Sequence, residues 1–255
     1  MCRGSMAELP APSAVLHALA LARQGRVFDL STELGPHIPA GPEDTFAPIR
    51  LTPLHIPSAV SDAGSAPAFD FSMEVISGSL HVGTHIDGLA HIHSHGRMHG
   101  GIPSGEAWSD AGWTTGGAEE LPVFIQRGVL LDIARLRGVE VIEGSSEITA
   151  DELDRCAVKN GVHIQPGTAV LVRTGKIRQF HAGDPAFHAT QPGVGPDGAE
   201  HLVDLGMTLL GTDTSGTEPH PMPNPERTTH RSLLVDRGIH LLEILDLEEL
   251  SLIHI

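Results

Sequence analysis

Apolar and polar side chains alternate along residues 27–31 (VFDLS) and 69–76 (FDFSMEVI), the period of half-buried strands. Short unbroken apolar runs at 129–133 (VLLDI), 169–172 (AVLV) and 207–211 (MTLLG) read as fully buried strands. Helical spacing occurs at 14–23, 198–205 and 228–235, with a short terminal helix at 247–250. A further helix is expected to open at Thr149, with Glu152 in capping-box position, and to run to Lys159, where Gly161 stops it. Between these lie an apolar stretch at 49–56, a Ser/Ala/Gly loop at 58–68 and a Pro-dense loop at 219–225. Residues 239–244 are apolar except for His240 and Glu243. Strands alternating with helices predict an α/β class, one domain with a mixed sheet and long loops. We expect residues 1–26 to be an N-terminal extension with a helix and 27–255 to be the domain, the first nine residues carrying no fold weight.

Composition narrows the function classes. The 16 basic and 32 acidic residues give a formal charge of −16, which repels phosphate backbones and anionic membranes, so neither nucleic acid nor membrane is expected as a partner. No run of about 18 apolar residues occurs, and the first residues lack a convincing signal peptide. Two cysteines, Cys2 and Cys156, imply no disulfide framework and suit a reducing cytoplasm.

Histidine changes the picture. Ten of the 17 fall between His81 and His99 or from His220 onward. The strand expected at 69–76 leads directly into HVGTHIDGLAH, residues 81–91, which carries His81, His85, Asp87 and His91. Two nitrogens and a carboxylate from His81, His85 and Asp87 can hold a divalent ion and leave coordination positions open, the mark of a catalytic rather than a structural site. Gly83 and Gly88 argue for a tight loop there rather than a helix. A metalloprotease helix needs Glu after the first His, and Val82 stands there. A cupin, suggested by His91 and His93, lacks its many short strands. A His-rich loop (His91, His93, His95, His99) that binds metal for sensing or storage, without catalysis, stays open as an alternative. The Gly-rich loop at 96–121 carries both tryptophans, Trp108 and Trp113, as candidate pocket walls or a lid.

HVGTHIDGLAH resembles the HxGTHxDxxxH signature of the cyclase family of metal-dependent hydrolases, which includes kynurenine formamidase and isatin hydrolase. Four ordered blocks are also similar to that family: VFDLS at 27–31, VLVRTG at 170–175, LGTDTS at 210–215 and GIHLLEILDLEEL at 238–250. The resemblance implies a mixed-sheet, swivelling β/β/α-like fold, with His81, His85 and Asp87 as ligands of Zn2+ or Mn2+. It makes His91 the acid/base and adds His230 and Glu243 as ligands where two ions bind. A Glu embedded in an apolar run fits this, because burying it without a cation is costly. The reaction implied is hydrolysis of a small cyclic or N-acylated substrate, an amide, lactam, lactone or formamide, with a lyase or isomerase reaction on the same fold as the alternative. Ser215 is a candidate substrate contact. Gly88 and Leu89 stand where the family's formamidases often have Ala-Pro, so the motif specifies reaction type rather than substrate. The resemblance also implies a homodimer or homotetramer with loops crossing between subunits.

Overall fold

The computed structural model describes residues 11–39, 41, 46–56 and 69–253. In chain order its elements are helix α1 (Pro12–Ala20), strands β1 (Arg50–His55), β2 (Met73–Ser77), β3 (His85–Ile86), β4 (Trp108–Ser109), β5 (Gly112–Trp113) and β6 (Gly128–Asp132), helix α2 (Ile133–Arg137) and β7 (Glu147–Ile148). There follow α3 (Ala150–Lys159), β8 (Thr168–Arg173), α4 (Ile177–His181), β9 (Gly193–Val194), α5 (Pro196–Asp204) and β10 (Met207–Thr212). A π-helix (Arg231–Arg237), β11 (His240–Glu243) and α6 (Glu248–Leu252) complete the described chain.

The three apolar runs become β6, β8 and β10, because each can be buried on both faces only inside a parallel sheet covered by helices. Together with β11 and β3 they form one five-stranded sheet in the order β3-β11-β10-β8-β6. Four strands are parallel and β3 runs antiparallel to β11, so the sheet is mixed. The main core lies beneath α3, α5 and the π-helix and includes Leu131, Val170, Leu202, Leu210, Leu233 and Leu241. The capping box of α3 forms as expected: Thr149 Oγ1 accepts from the Glu152 amide and Glu152 Oε2 from the Thr149 amide. Gly161 follows at φ +63°, a left-handed turn that ends the helix.

Several expectations change. The helix expected at 14–23 is α1, which ends at Ala20 and buries no residue. Residues 27–31 form no strand; Leu30 is held by a hydrogen bond from the Asp246 amide to its carbonyl (2.8 Å), while Val27 stands exposed. The run at 129–133 leaves the sheet one residue early, because Asp132 caps α2 by accepting from the Arg135 amide. The alternating segment at 69–76 does yield β2, but not as a half-buried strand. It pairs antiparallel with β1 in a separate ribbon whose side chains are almost all exposed, apolar ones included. The segment expected as a helix at 228–235 winds as a π-helix from Arg231, a departure typical of functional sites. The loop expected at 58–68 and the first nine residues lie outside the described residues. Among the described residues no helix is long and apolar enough to cross a membrane.

Candidate metal centre

The parallel strands end on one side, where ligands bind in open α/β sheets. Glu243 is the last residue of β11, and the loop after β10 passes next to it. Antiparallel pairing sets Glu243 directly across from His85. The Asp87 amide continues that pairing by donating to Leu241 O (2.9 Å), which brings Asp87 to the same point. Residues from distant parts of the chain thus meet through backbone register.

Thr84 locks the loop between the first two histidines. Its hydroxyl donates to Ile244 O (2.6 Å) and accepts from the Thr32 amide (2.7 Å), and its own amide donates to Thr32 Oγ1 (2.9 Å). Gly83 is required for space rather than for a sharp turn: a Cβ there would lie 2.1 Å from Leu34 Cδ2. Ile244, immediately after Glu243, is held at φ +55°, a strained backbone position for a β-branched residue beside a functional side chain.

Asp87 is the centre of the cluster. Its side chain is wholly buried, and neither Oδ atom has a hydrogen-bond donor. Oδ1 lies 3.5 Å from His81 Nδ1, 3.5 Å from His85 Nε2 and 4.0 Å from His91 Nε2. Oδ2 lies 3.5 Å from His230 Nε2. Glu243 closes the ring, Oε1 being 3.2 Å from His230 Nε2 and Oε2 3.6 Å from His85 Nε2. A buried carboxylate without a donor, ringed by imidazole nitrogens, fits a divalent cation and little else. The closest approach of the two motif histidines, His81 Nδ1 to His85 Nε2 at 2.8 Å, says the same, since two ring lone pairs face each other only across a proton or a metal. Tautomers agree with this. His85 Nδ1 lies 2.9 Å from Gly83 O, a carbonyl that can only accept, so Nδ1 carries the proton and Nε2 is free to ligate.

Two overlapping ligand groups share Asp87: His81, Asp87 and His91, and His85, Asp87 and Glu243. His230 belongs to neither group but reaches both carboxylates, Asp87 Oδ2 at 3.5 Å and Glu243 Oε1 at 3.2 Å, so the five expected ligands, His81, His85, Asp87, His230 and Glu243, lie together. His91 also stands within ligand reach, stacked on His81 with ring centroids 4.3 Å apart. The electrostatics follow the packing. Burial pushes His81 down to about 4, with His85 and His91 adding to the effect. Burial also lowers His91, although Asp87 pulls the other way. Burial opposes ionisation of Asp87, but the surrounding imidazoles outweigh it and hold the carboxyl well below the usual range. For His230 burial is again outweighed, by Glu218, Glu243 and Asp87, which hold the imidazolium well above its ordinary pKa.

The cluster opens into a cavity of about 820 Å3 lined by His81, His91, His230 and Glu243 on the cluster side and by His93, His188, Gln191, Ser215 and Glu218 elsewhere. Ser215 is thus on the cavity wall, its hydroxyl 2.5 Å from His188 Nδ1. Trp108 and Trp113 are not. They pack edge to face with each other, and Trp113 stands behind His93, so the loop that carries them supports the wall instead of forming it. Glu218, Thr217, His188 and Gln191 line or support the site without standing out in the sequence. Their one signal is Glu218, a carboxylate in the Gly/Pro-rich segment GTEPH just beyond LGTDTS.

Comparison with known proteins agrees with this geometry. The model of the cyclase family, described as "Putative cyclase", matches residues 28–219, and the chain belongs to that family. The match stops short of His230 and Glu243, which join the site through the fold. No curated protein matches the chain. Among solved structures, a novel cyclase superposes with a TM-score of 0.83 at 25% identity, covering 94% of this chain and 80% of the other. An isatin hydrolase bound to the product analogue thioisatinate superposes at 0.66 with 21% identity, covering 94% and 87%. Isatin hydrolase A from Labrenzia aggregata, bound to benzyl benzoate, superposes at 0.65 with 22% identity, covering 92% and 87%. The last two similarities establish the shared fold.

Proposed function

We propose that the chain is a metal-dependent hydrolase of a small cyclic or N-acylated substrate, an amide, lactam, lactone or formamide, in the manner of arylformamidases and isatin hydrolases. The observation that carries this reading is Asp87, doubly unpartnered and buried behind His81, His91, His230 and Glu243, which line an open cavity. His81, His85 and Asp87 would hold one divalent ion, and His230 and Glu243, with Asp87 shared, a second; Zn2+ or Mn2+ suits this nitrogen and oxygen set. When bound, the ion supplies polarisation of a carbonyl and activation of water.

The remaining chemistry belongs to the protein. His91 is the exposed member of its ligand group, and it faces the cavity. Although it is open to the cavity on one side, most of its ring is withdrawn from water, which lowers its pKa below the ordinary histidine value, so near pH 7 it is neutral and can accept a proton and return it to the leaving nitrogen or oxygen. Ser215, also on the cavity wall, presents a hydroxyl to the substrate, oriented by His188. His188 in turn donates through Nε2 to Pro39 O (3.2 Å).

We further propose that the chain self-associates as a homodimer or homotetramer through the β1–β2 ribbon, which exposes Leu51, Leu54, Met73, Val75 and Ile76 to solvent, with Phe71 exposed just before β2. A two-stranded ribbon is marginal alone in water, and an apolar patch of this kind marks an interaction surface. A cytoplasmic setting suits Cys156, a free buried thiol.

The test is metal analysis of the purified protein combined with a hydrolysis screen over N-formylkynurenine, isatin and a lactone panel. Metal-dependent turnover that places solvent oxygen in the product is the expected result. Full turnover after chelation would overturn the metal reading, and a product without solvent oxygen would make the enzyme a lyase or isomerase.

A further inference from the structure

We infer that Thr217 and Glu218 are positioning residues that together set the second half of the metal centre, His230 and Glu243; this rests on the proposed metal reading. Each holds one of those two side chains. The buried Thr217 hydroxyl donates to Glu243 Oε1 (2.8 Å). Glu218, 5% exposed, accepts from His230 Nδ1 (2.5 Å) and from the His230 amide (3.2 Å). With its Nδ1 proton committed to Glu218, His230 turns Nε2 toward Glu243 Oε1 and Asp87 Oδ2. A carboxylate behind a ligating histidine fixes its tautomer and ring plane and raises its basicity.

The two partners are consecutive residues, so the position of one backbone segment decides both ligand orientations. That segment is pinned on every side. Gln191 Nε2 donates to Gly216 O (2.6 Å) and Glu218 O (2.9 Å), and its Oε1 accepts from the Gly216 amide (3.1 Å). The Val194 amide donates to Thr217 O (2.9 Å). Gly193 lets the chains touch: a Cβ there would lie 2.4 Å from Thr217 O and 2.3 Å from the Glu218 carbonyl carbon. Strand β9 also holds the other side of the site, since Thr229, next to His230, donates to Val194 O (2.6 Å). A buried polar pair that merely satisfied itself would need none of this convergence on two ligands.

The experiment is titration of the metal-free protein with Mn2+, read by competition with a chelating dye and by the electron paramagnetic resonance signature of a coupled ion pair. Thr217→Val, Thr217→Ser, Glu218→Gln and Gly193→Ala are compared with the wild type and with His230→Ala. Thr217→Val and Glu218→Gln should weaken the second ion about 10- to 100-fold and erase the coupled signal, while the first ion binds as before. Thr217→Ser keeps the hydroxyl and should restore both. Gly193→Ala, which keeps every polar side chain but displaces the segment, should reproduce the loss; a circular dichroism melt of each metal-free variant shows which are folded, and the Val/Ser pair, closest in shape, decides if the others are not. Two ions bound with wild-type affinity by both Thr217→Val and Glu218→Gln would overturn the inference alone. A wild type that binds one ion, equally well in His230→Ala, would overturn it along with the second ion position. No bound ion at all would overturn the metal reading as well.

Discussion

At the scale of the residue, Asp87 and His91 divide the work of the motif. Asp87 has no proton donor, so its removal takes away the charge that any cation needs; Asp87→Ala should purify without stoichiometric metal, as measured by elemental analysis. His91 sits at the rim, and His91→Ala should retain metal but lose about 10²-fold or more in kcat. The pH profile carries the sign of its role. Burial places the folded pKa of His91 below the ordinary histidine value of 6.5, and the active form is the neutral one. Activity should therefore hold through pH 7 and fall only as pH drops below about 6.5. A limb that persists in His91→Ala would assign the titration to another group. The motif itself is legible in the sequence, because four ligand-type side chains in eleven residues leave little else to propose. Glu218 is not, since its role depends on a histidine 12 positions away that only the π-helix start brings alongside.

At the scale of the element, two pairings matter for opposite reasons. The two-residue strand β3 is too short to detect by alternation, yet its register against β11 places His85 on Glu243. The β1–β2 ribbon is detectable in the sequence, but its burial is not. Alternation along 69–76 reports which side chains share a face and says nothing of whether anything covers that face, and here both faces are open. The runs at 129–133, 169–172 and 207–211 are legible as strands because each is apolar on both sides and so allows no exposed placement. The ribbon's exposure leads to a size prediction. Leu54 and Ile76 stand 63% and 57% exposed, and replacing both with Lys should leave the monomer fold intact. Sedimentation should then show a 27.0 kDa species where the wild type runs as a dimer or larger. An unchanged mass would move the interface elsewhere.

At the scale of the whole molecule, the metal centre joins segments that no local interaction would bring together. Residues 81–91 arrive from the ribbon side of the chain, and His230 and Glu243 arrive from beyond the last parallel strand. The cluster brings the Asp87 and Glu243 carboxylates to within 3.6 Å of the imidazole nitrogens of His85 and His230. Binding of an ion to the folded chain but not the unfolded one adds RT ln(1 + [L]/Kd), about 2.7 kcal/mol at a free concentration 100 times Kd. In a protein of this size, each kcal/mol corresponds to roughly 2–4 °C in melting temperature. Chelation should thus lower the melting temperature by roughly 5–10 °C, and Zn2+ or Mn2+ should restore it. Thr149→Ala provides the contrast. It breaks the capping box of α3, whose side-chain bonds run between Thr149 and Glu152 and reach no residue of the cluster, and should cost about 1 kcal/mol with or without metal. If chelation and Thr149→Ala act on independent parts of the molecule, their effects on the melting temperature add; if chelation leaves the wild-type melt unmoved, the ion is not part of the folded protein.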